Sequence, residues 1–223
     1  MGYCQAVAGV PEIDRSSTTE RVADALREML FAGDLRPGEP LREVALADGF
    51  HVARSTVREA LQLLIAEGLL TRTPNKGVTV TALTEQDLAE VFDARLVLES
   101  AGIRAGVAGA DLSAAAEALR AYADAAQSDD YAAATQSHLA FHNSLVALAG
   151  NSRLLGYANA LTGDLRLALG SVERARRNAR QQVGAHRKLL TFIRAGDEWA
   201  ALEELAHHLS GARESVAERL RGH

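Results

Sequence analysis

From residue 83 to the end of the chain, apolar side chains recur every three or four residues, which is the spacing of one helix face. These apolar stripes cover residues 84–108, 111–127, 130–149, 152–173, 176–195 and 197–221. Short segments such as GNS and GD separate the stripes, and no strand pattern interrupts them. Because a helix with one apolar face must bury that face, this part of the sequence predicts a bundle of about six helices.

The sequence before residue 83 has a different pattern, with three short helical segments and a β-hairpin. The second helix is expected in LREVALAD and to end at Gly49, and the third runs from about Arg54 to Glu67. LLTRT and VTVTA are rich in β-branched residues, and PNKG between them is a turn signal. Three helices followed by a hairpin are typical of a winged helix-turn-helix, so the predicted fold is mainly α.

The composition of the chain changes at about residue 82, which gives three predicted parts. Residues 1–15 have no periodicity and are expected to form a flexible tail. Residues 16–82 are the predicted winged helix-turn-helix domain, and residues 83–223 are the predicted helical domain.

Several classes of protein are excluded by simple properties of the sequence. Cys4 is the only cysteine, so an internal disulfide is impossible and a reducing compartment fits the chain. No apolar run is long enough to span a bilayer, and the N-terminus lacks the pattern of a secretory signal. We therefore expect a cytoplasmic protein with no membrane partner.

The start of the third predicted helix carries the residue types that read DNA. Arg54, Ser55, Thr56 and Arg58 crowd this end, where arginine can pair with guanine and the hydroxyl groups can reach bases or phosphates. Residues 51–80 have a net charge of +2, whereas the whole chain has −5. The residues alone leave two alternatives open, since surface arginines are often only solvated and such a unit can also bind proteins.

Four histidines are predicted to face the interior of the helical bundle. His138 and His142 in HLAFH lie four residues apart on one helix face, and His186 lies on an apolar stripe of a later helix. His208 borders the core, while its neighbour His207 lies on a solvated face. Because burying four imidazoles without a shared partner is costly, convergence on a metal ion is the better explanation. Histidines that only fill and hydrogen-bond the core are the alternative.

The first helix of the bundle carries Arg95 and Glu99 on its inward stripe, where apolar residues are usual. One interpretation is a buried Arg–Glu pair that bridges helices. The other is an arginine that points into a pocket and holds a carboxylate through two hydrogen bonds.

The segment RSTVREALQLLIAEGLLTRTPNKGVTV resembles the DNA-binding domain of the GntR family of bacterial transcription regulators. VREAL, L.AEGL and PN[RK]G stand at the spacing of that family. By this resemblance the DNA-contacting positions are Arg42, Arg54, Ser55, Thr56, Arg58, Lys76 and Gly77. The turn LADGFHVAR is about two residues longer than usual, which changes the surroundings of His51.

The second half resembles the FCD ligand-binding domain of the FadR-like branch of the same family. The resemblance is carried by FDARLVLES, HLAFHNSLVALAGN, AHRKLL..IRAGD and HHL. Many FCD domains bind a divalent metal through one Asp and three His. The three His correspond to His142, His186 and His208, and His138 stands at the position of the family's Asp. Imidazole in place of carboxylate favours Zn²⁺ or Ni²⁺.

These resemblances imply a homodimeric transcription regulator, expected to be a repressor of a pseudo-palindromic double-stranded DNA operator and not an enzyme. FCD effectors are typically small organic acids, so we expect a small carboxylate at the metal's open position and near Arg95. One alternative is a regulator with purely structural histidines and no metal. The other is a helical metalloenzyme that activates water, which would leave the N-terminal domain unexplained.

Overall fold

The structure is a computed structural model that describes residues 17–32, 34–74, 77–128, 130–176 and 179–221. The predicted tail at residues 1–15 and Lys76 in the wing lie outside these residues. The helices and strands of the described ranges are α1 (Thr18–Ala32), β1 (Pro40–Leu41), α2 (Glu43–Phe50), α3 (Arg54–Ala66), β2 (Leu70–Thr73), β3 (Gly77–Val80), α4 (Glu85–Val107), α5 (Ser113–Gln127), α6 (Tyr131–Ala147), α7 (Ser152–Arg176), α8 (Ala179–Ala195) and α9 (Glu198–Arg221). The predicted fold class, a mainly α chain with a winged helix-turn-helix before a helical bundle, is confirmed.

Helices α1 to α3 and the strands share one hydrophobic core. Leu26 of α1 and Leu61 and Leu64 of α3 are fully buried in it, and Val78 and Val80 of β3 close it from the sheet side. Alternation along β3 directs these two valines inward, as expected for a strand with one buried face. One face of α3 is therefore packed on the core, while Arg54 and Ser55 in its first turn are exposed.

The wing is a three-stranded antiparallel sheet with the order β1-β3-β2. The sequence predicted only the hairpin formed by β2 and β3. Strand β1 has two residues, Pro40 and Leu41, which pair with Thr79 and Val78. A segment of this length carries no alternation pattern, so only its tertiary pairing reveals it.

Helix α2 continues through Gly49, so the predicted end of the helix at this residue was wrong. The last residue of the helix is Phe50, and His51 caps it with a left-handed backbone, φ 55°. The backbone N–H of His51 donates to the carbonyl oxygen of Asp48. The turn between α2 and α3 therefore begins with a histidine in the conformation that glycine or asparagine usually supplies.

Helices α4 to α9 form the bundle, as predicted. Helix α4 begins with a capping box, because Thr84 Oγ1 accepts from Asp87 N–H at 3.1 Å and Asp87 Oδ2 accepts from Thr84 N–H at 2.9 Å. The bundle core includes Tyr122, Phe141 and Leu145, all of which are fully buried. Among the described residues, no helix is both long and apolar enough to cross a membrane.

Two close backbone approaches depend on glycine. At Gly102 of α4, a side chain would overlap the carbonyl oxygen of Leu145 on α6, so these helices are nearly in backbone contact. The second approach joins the two domains. A Cβ atom on Gly68, which follows α3, would lie 3.0 Å from the carbonyl carbon of Gly163 in α7. A Cβ atom on Gly163 would lie 3.1 Å from the carbonyl oxygen of Glu67.

Candidate metal centre and nucleic-acid interface

The four predicted histidines meet in the centre of the bundle. His138 and His142 come from α6, His186 from α8 and His208 from α9, and each is less than 9% exposed. One ring nitrogen from each lies within 4.8 Å of the others. We call these residues the histidine cluster. Three helices supply it, so the cluster forms only when the bundle is packed.

Hydrogen bonds at the outer edges of two rings fix their tautomers. His142 Nδ1 lies 2.6 Å from Glu99 Oε2, and His186 Nδ1 lies 2.6 Å from the carbonyl oxygen of Gln182. A carbonyl oxygen only accepts, and the carboxylate of Glu99 is held by a hydrogen bond from Arg95 Nε. The proton of His186 therefore lies on Nδ1, and that of His142 lies on Nδ1 when Glu99 is ionised, which leaves a lone pair on each Nε2.

The Nε2 atoms of the cluster converge. His142 Nε2 lies 3.1 Å from His186 Nε2 and 3.2 Å from His138 Nε2. With both Nδ1 atoms protonated, the facing lone pairs of His142 and His186 cannot hydrogen-bond to each other, and a cation between them would bind both. Tetrahedral zinc, with Zn–N bonds of about 2.0–2.1 Å, gives N–N separations of about 3.3 Å. The two separations from His142 are close to this value.

Three histidines of the cluster, His142, His186 and His208, are held in the neutral form that binds metals. Burial lowers the pKa of His142 and His186 well below the usual value, with the Arg95 charge adding to the effect at His142 and His208 at His186. Burial also lowers the pKa of His208 to about 3. Because the ring of His142 is neutral, its contact with Glu99 is a hydrogen bond and not an ion pair.

Arg95 and Glu99 form a pair within α4, with Arg95 Nε 3.0 Å from Glu99 Oε1. The predicted link between helices is made by Glu99 alone, through its second oxygen to His142 of α6. Burial raises the pKa of Glu99 to about 7, and Arg95 opposes this rise. Arg95 is 5% exposed, and its Nη2 has no hydrogen-bond partner within the described part of the chain.

Sequence reasoning missed two residues beside the cluster. Glu99 was placed on the inward stripe but was not recognised as the partner of His142; its spacing from Arg95 was the available signal. Tyr122 of α5 stacks on His138 with ring centroids 5.0 Å apart and an angle of 15°. Nothing in the local sequence of α5 indicates this contact, because it joins residues from different helices.

The predicted DNA-contacting residues that the structure describes come from the start of α2, the start of α3 and the start of β3. Arg54, Ser55 and Arg58 are exposed in the first two turns of α3, and Thr56 is half-buried. Arg42 is exposed directly before α2. Gly77 opens β3 with φ 81°, and a side chain there would meet nothing within 4 Å. Their contacts with DNA stay predictions.

One carboxylate stands among these basic residues. Glu43, the first residue of α2, accepts hydrogen bonds from Arg58, with its Oε2 2.8 Å from Nη2 and 3.1 Å from Nε. The hydrogen bond from Arg58 lowers the pKa of Glu43, and the charge of Arg72 adds to this effect. No pattern in the sequence indicates that Glu43 contacts α3.

Comparison with known protein families gives two matches. The family model for bacterial regulatory proteins of the gntR family matches residues 18–80. The model for the FCD domain matches residues 90–211, which is more than half of the chain.

Individual proteins agree with these matches. The probable D-xylose utilization operon transcriptional repressor of Paenarthrobacter nicotinovorans is 30% identical over 204 residues, which cover 89% of this chain and 88% of that protein. The uncharacterized HTH-type transcriptional regulator YdhC of Bacillus subtilis is 38% identical over 86 residues. That match covers 39% of this chain and 38% of YdhC. A crystal structure described as a transcriptional regulator GntR from Rhodococcus sp. RHA1 has a TM-score of 0.73 and 30% identity, covering 91% of this chain and 99% of that one.

Proposed function

This chain belongs to the gntR family of bacterial regulatory proteins and carries an FCD domain, and on that premise we propose that it is a metal-dependent transcriptional repressor. In this proposal a homodimer binds a pseudo-palindromic operator in the cytoplasm. A small organic acid, bound in the bundle beside the histidine cluster, changes the affinity of the dimer for the operator. The Paenarthrobacter relative is named a probable operon transcriptional repressor, which supports repression rather than activation.

The DNA-binding part rests on the exposed first turns of α3. Arg54 and Arg58 would reach base edges in the major groove, while Ser55 and Thr56 lie at the helix end whose free N–H groups favour phosphate. Gly77 in the wing leaves room for the backbone to approach DNA. A two-fold dimer would present two such helices to two half-sites.

The metal-binding part rests on one observation above all: the Nε2 atoms of His142 and His186, both assigned as acceptors, face each other at 3.1 Å. The four histidines of the cluster would hold the ion, and their all-nitrogen donor set suits Zn²⁺ or Ni²⁺. A bound divalent ion would supply positive charge that attracts a carboxylate.

Arg95 is the residue of this chain that would bind the carboxylate of the effector. Its Nη2 is buried and has no hydrogen-bond partner among the described residues, so a free N–H donor exists in the bundle interior. Its Nε is already held by Glu99, which fixes the direction of the guanidinium. An unpaired buried donor is costly, and a ligand oxygen would remove that cost.

A chain of contacts could transmit the binding event to the recognition helix. Asn143 follows His142 on α6, and its amide group hydrogen-bonds Asn159 at 2.8 Å and Thr162 at 2.9 Å on α7. Gly163, the next residue of α7, contacts Gly68 directly after α3. A shift of α6 against α7 would therefore move the end of α3.

The test begins with a duplex selected from a random library by the wild-type protein. We expect Arg58→Ala to weaken binding to this duplex by roughly fivefold to a hundredfold, relative to a scrambled duplex. Arg153→Ala removes the same charge from an exposed position on α7 and is the control. Unchanged specific binding by Arg58→Ala would remove it as a reader of bases.

Effector coupling is tested by adding small hydroxy acids and dicarboxylic acids to the complex of protein and selected duplex. An acid that binds wild-type protein should change its affinity for the duplex, and Arg95→Lys should bind that acid more weakly because its ammonium lacks the planar fork. An acid that binds the protein and never changes duplex affinity would contradict the coupling.

A further inference from the structure

The first residue of α2 contacts the recognition helix through its side chain. The two oxygens of Glu43 lie 3.3 and 3.1 Å from Arg58 Nε, and Oε2 lies 2.8 Å from Arg58 Nη2. The Glu43 side chain is 25% exposed and that of Arg58 is 61% exposed. The carboxylate therefore lies beneath the guanidinium, which remains open on its outer side.

The contact uses one specific edge of the guanidinium. An arginine has five N–H groups, and Glu43 occupies the Nε–H and one N–H of Nη2. The remaining donors are both N–H groups of Nη1 and the outer N–H of Nη2. One N–H of Nη1 and the outer N–H of Nη2 form the end-on edge, a pair of parallel donors that can bind guanine O6 and N7.

A carboxylate is otherwise unfavourable on a surface that approaches phosphates. Glu43 stays ionised there because Arg58 and, more weakly, Arg72 of the wing lower its pKa. Its charge cancels part of the attraction for DNA of any sequence. Glu43 thus weakens the general attraction for DNA, while its two-point contact with Arg58 restricts the orientation of that guanidinium.

We propose that Glu43 is a positioning residue for base reading: it holds the side-on edge of Arg58 so that the end-on edge faces the major groove. This inference rests on the proposed DNA-binding function. Without Glu43, the long Arg58 side chain would sample several rotamers and would contact phosphates as readily as bases. Glu43 therefore lowers the affinity for DNA of any sequence and raises the specificity for the base pair that Arg58 contacts.

Glu59 provides a matched control in the same domain. It lies on α3 next to Arg58, but its carboxylate accepts a hydrogen bond from Thr19 Oγ1 of α1 at 3.0 Å. Replacing Glu59 by alanine also removes one negative charge from the N-terminal domain, but it leaves the contact between Glu43 and Arg58 intact.

The experiment measures binding of the full-length protein to two DNA duplexes, one selected from a random library by the wild type and one scrambled. We expect Glu43→Ala to lower the ratio of specific to non-specific affinity by roughly tenfold. Glu59→Ala should leave this ratio unchanged. Glu43→Gln, which keeps an oxygen acceptor for the guanidinium, should recover part of the ratio. A repeated selection with Glu43→Ala should lose its base preference at the same base pair as Arg58→Ala.

A double mutant separates positioning from simple charge removal. In the Arg58→Ala background, Glu43→Ala should lower the ratio no further, because no guanidinium remains to be positioned. The inference is overturned if Glu43→Ala strengthens binding to both duplexes equally and keeps the wild-type ratio. If the wild type selects no sequence at all, the proposed DNA-reading function fails, and the inference fails with it. Loss of the ratio in both Glu43→Ala and Arg58→Ala, with the wild-type ratio kept in Glu59→Ala, supports both.

Discussion

His142 Nδ1 lies 2.6 Å from Glu99 Oε2, so α4, which supplies no histidine to the cluster, fixes the orientation of the central histidine. Arg95 holds the other oxygen of the same carboxylate at 3.0 Å. Arg95 therefore hydrogen-bonds Glu99, and Glu99 in turn hydrogen-bonds His142, which is a candidate metal ligand. Such outer partners fix the tautomer of a ligating histidine and raise its basicity.

Glu99→Gln tests this relationship. The amide can still accept from His142 but loses the negative charge that strengthens the contact and balances Arg95. We expect the affinity for Zn²⁺ to fall by roughly tenfold to a hundredfold, measured by competition with a chromophoric chelator. Glu90→Gln is the control, since Glu90 lies on the same helix and hydrogen-bonds only the surface residue Gln86. Equal zinc affinities for the two variants would contradict the role of Glu99.

Removal of one histidine should remove the metal. Elemental analysis of tag-free protein that has met no chelator should find about one Zn or Ni per chain, lost in His142→Ala. His207→Ala is the control, because His207 is exposed beside the buried His208. Chelation of the wild type should also lower its thermal stability, since an ion that binds only the folded state stabilises that state.

The opposite result of the metal analysis is equally clear. Wild-type protein that holds no metal after incubation with Zn²⁺ would mean that the histidine cluster is part of the core. The proposed DNA binding by α3 would survive that result, whereas the metal-dependent regulation would not.

Gly102→Ala should destabilise the bundle. The new methyl group would overlap the carbonyl oxygen of Leu145, which is backbone and cannot rotate away. Overpacking of this kind costs about 1–3 kcal/mol or more, against a gain of about 1 kcal/mol in helix propensity. Gly184→Ala on α8, where the methyl group meets nothing within 4 Å, should be neutral or stabilising. Thermal unfolding of both variants measures the difference, and equal midpoints would show that α4 and α6 do not pack this closely.

The sequence was sufficient to bring the four histidines together because helix phase is a local property. Apolar neighbours define the inward face, and a histidine on that face enters the core whatever the detailed packing. The four histidines lie on the inward faces of α6, α8 and α9, and their ligand nitrogens are within 4.8 Å of one another. The role of these nitrogens as metal ligands stays a prediction.

Contacts between elements could not be predicted in the same way. Strand β1 has two residues, the stacking of Tyr122 on His138 joins two helices, and Glu99 reaches α6 from α4. Each depends on distances across the fold, which no periodicity encodes. Gly49 misled the prediction because glycine often ends a helix, whereas here α2 runs on to Phe50 and His51 takes the left-handed conformation that ends it.

The last prediction concerns the contact between the domains. Gly163 lies within α7, where glycine is less favourable than alanine by about 1 kcal/mol, so the contact with Glu67 and Gly68 is a reason for its presence. Gly163→Ala would place a methyl group 3.1 Å from the carbonyl oxygen of Glu67 and push the end of α3 away by a few tenths of an ångström. Folding and zinc affinity should be retained.

What should change is the coupling between the domains, measured as the ratio of affinities for the selected duplex with and without Zn²⁺. We expect Gly163→Ala to alter this ratio by roughly twofold to thirtyfold, the range seen for residues between two coupled sites. Gly156→Ala gains the same helix propensity on α7 but faces open space, so it should keep the wild-type ratio. Since both variants gain the same methyl group on one helix, a difference between them can come only from the contact with α3. Identical ratios would mean that metal binding reaches the DNA-reading domain by another route.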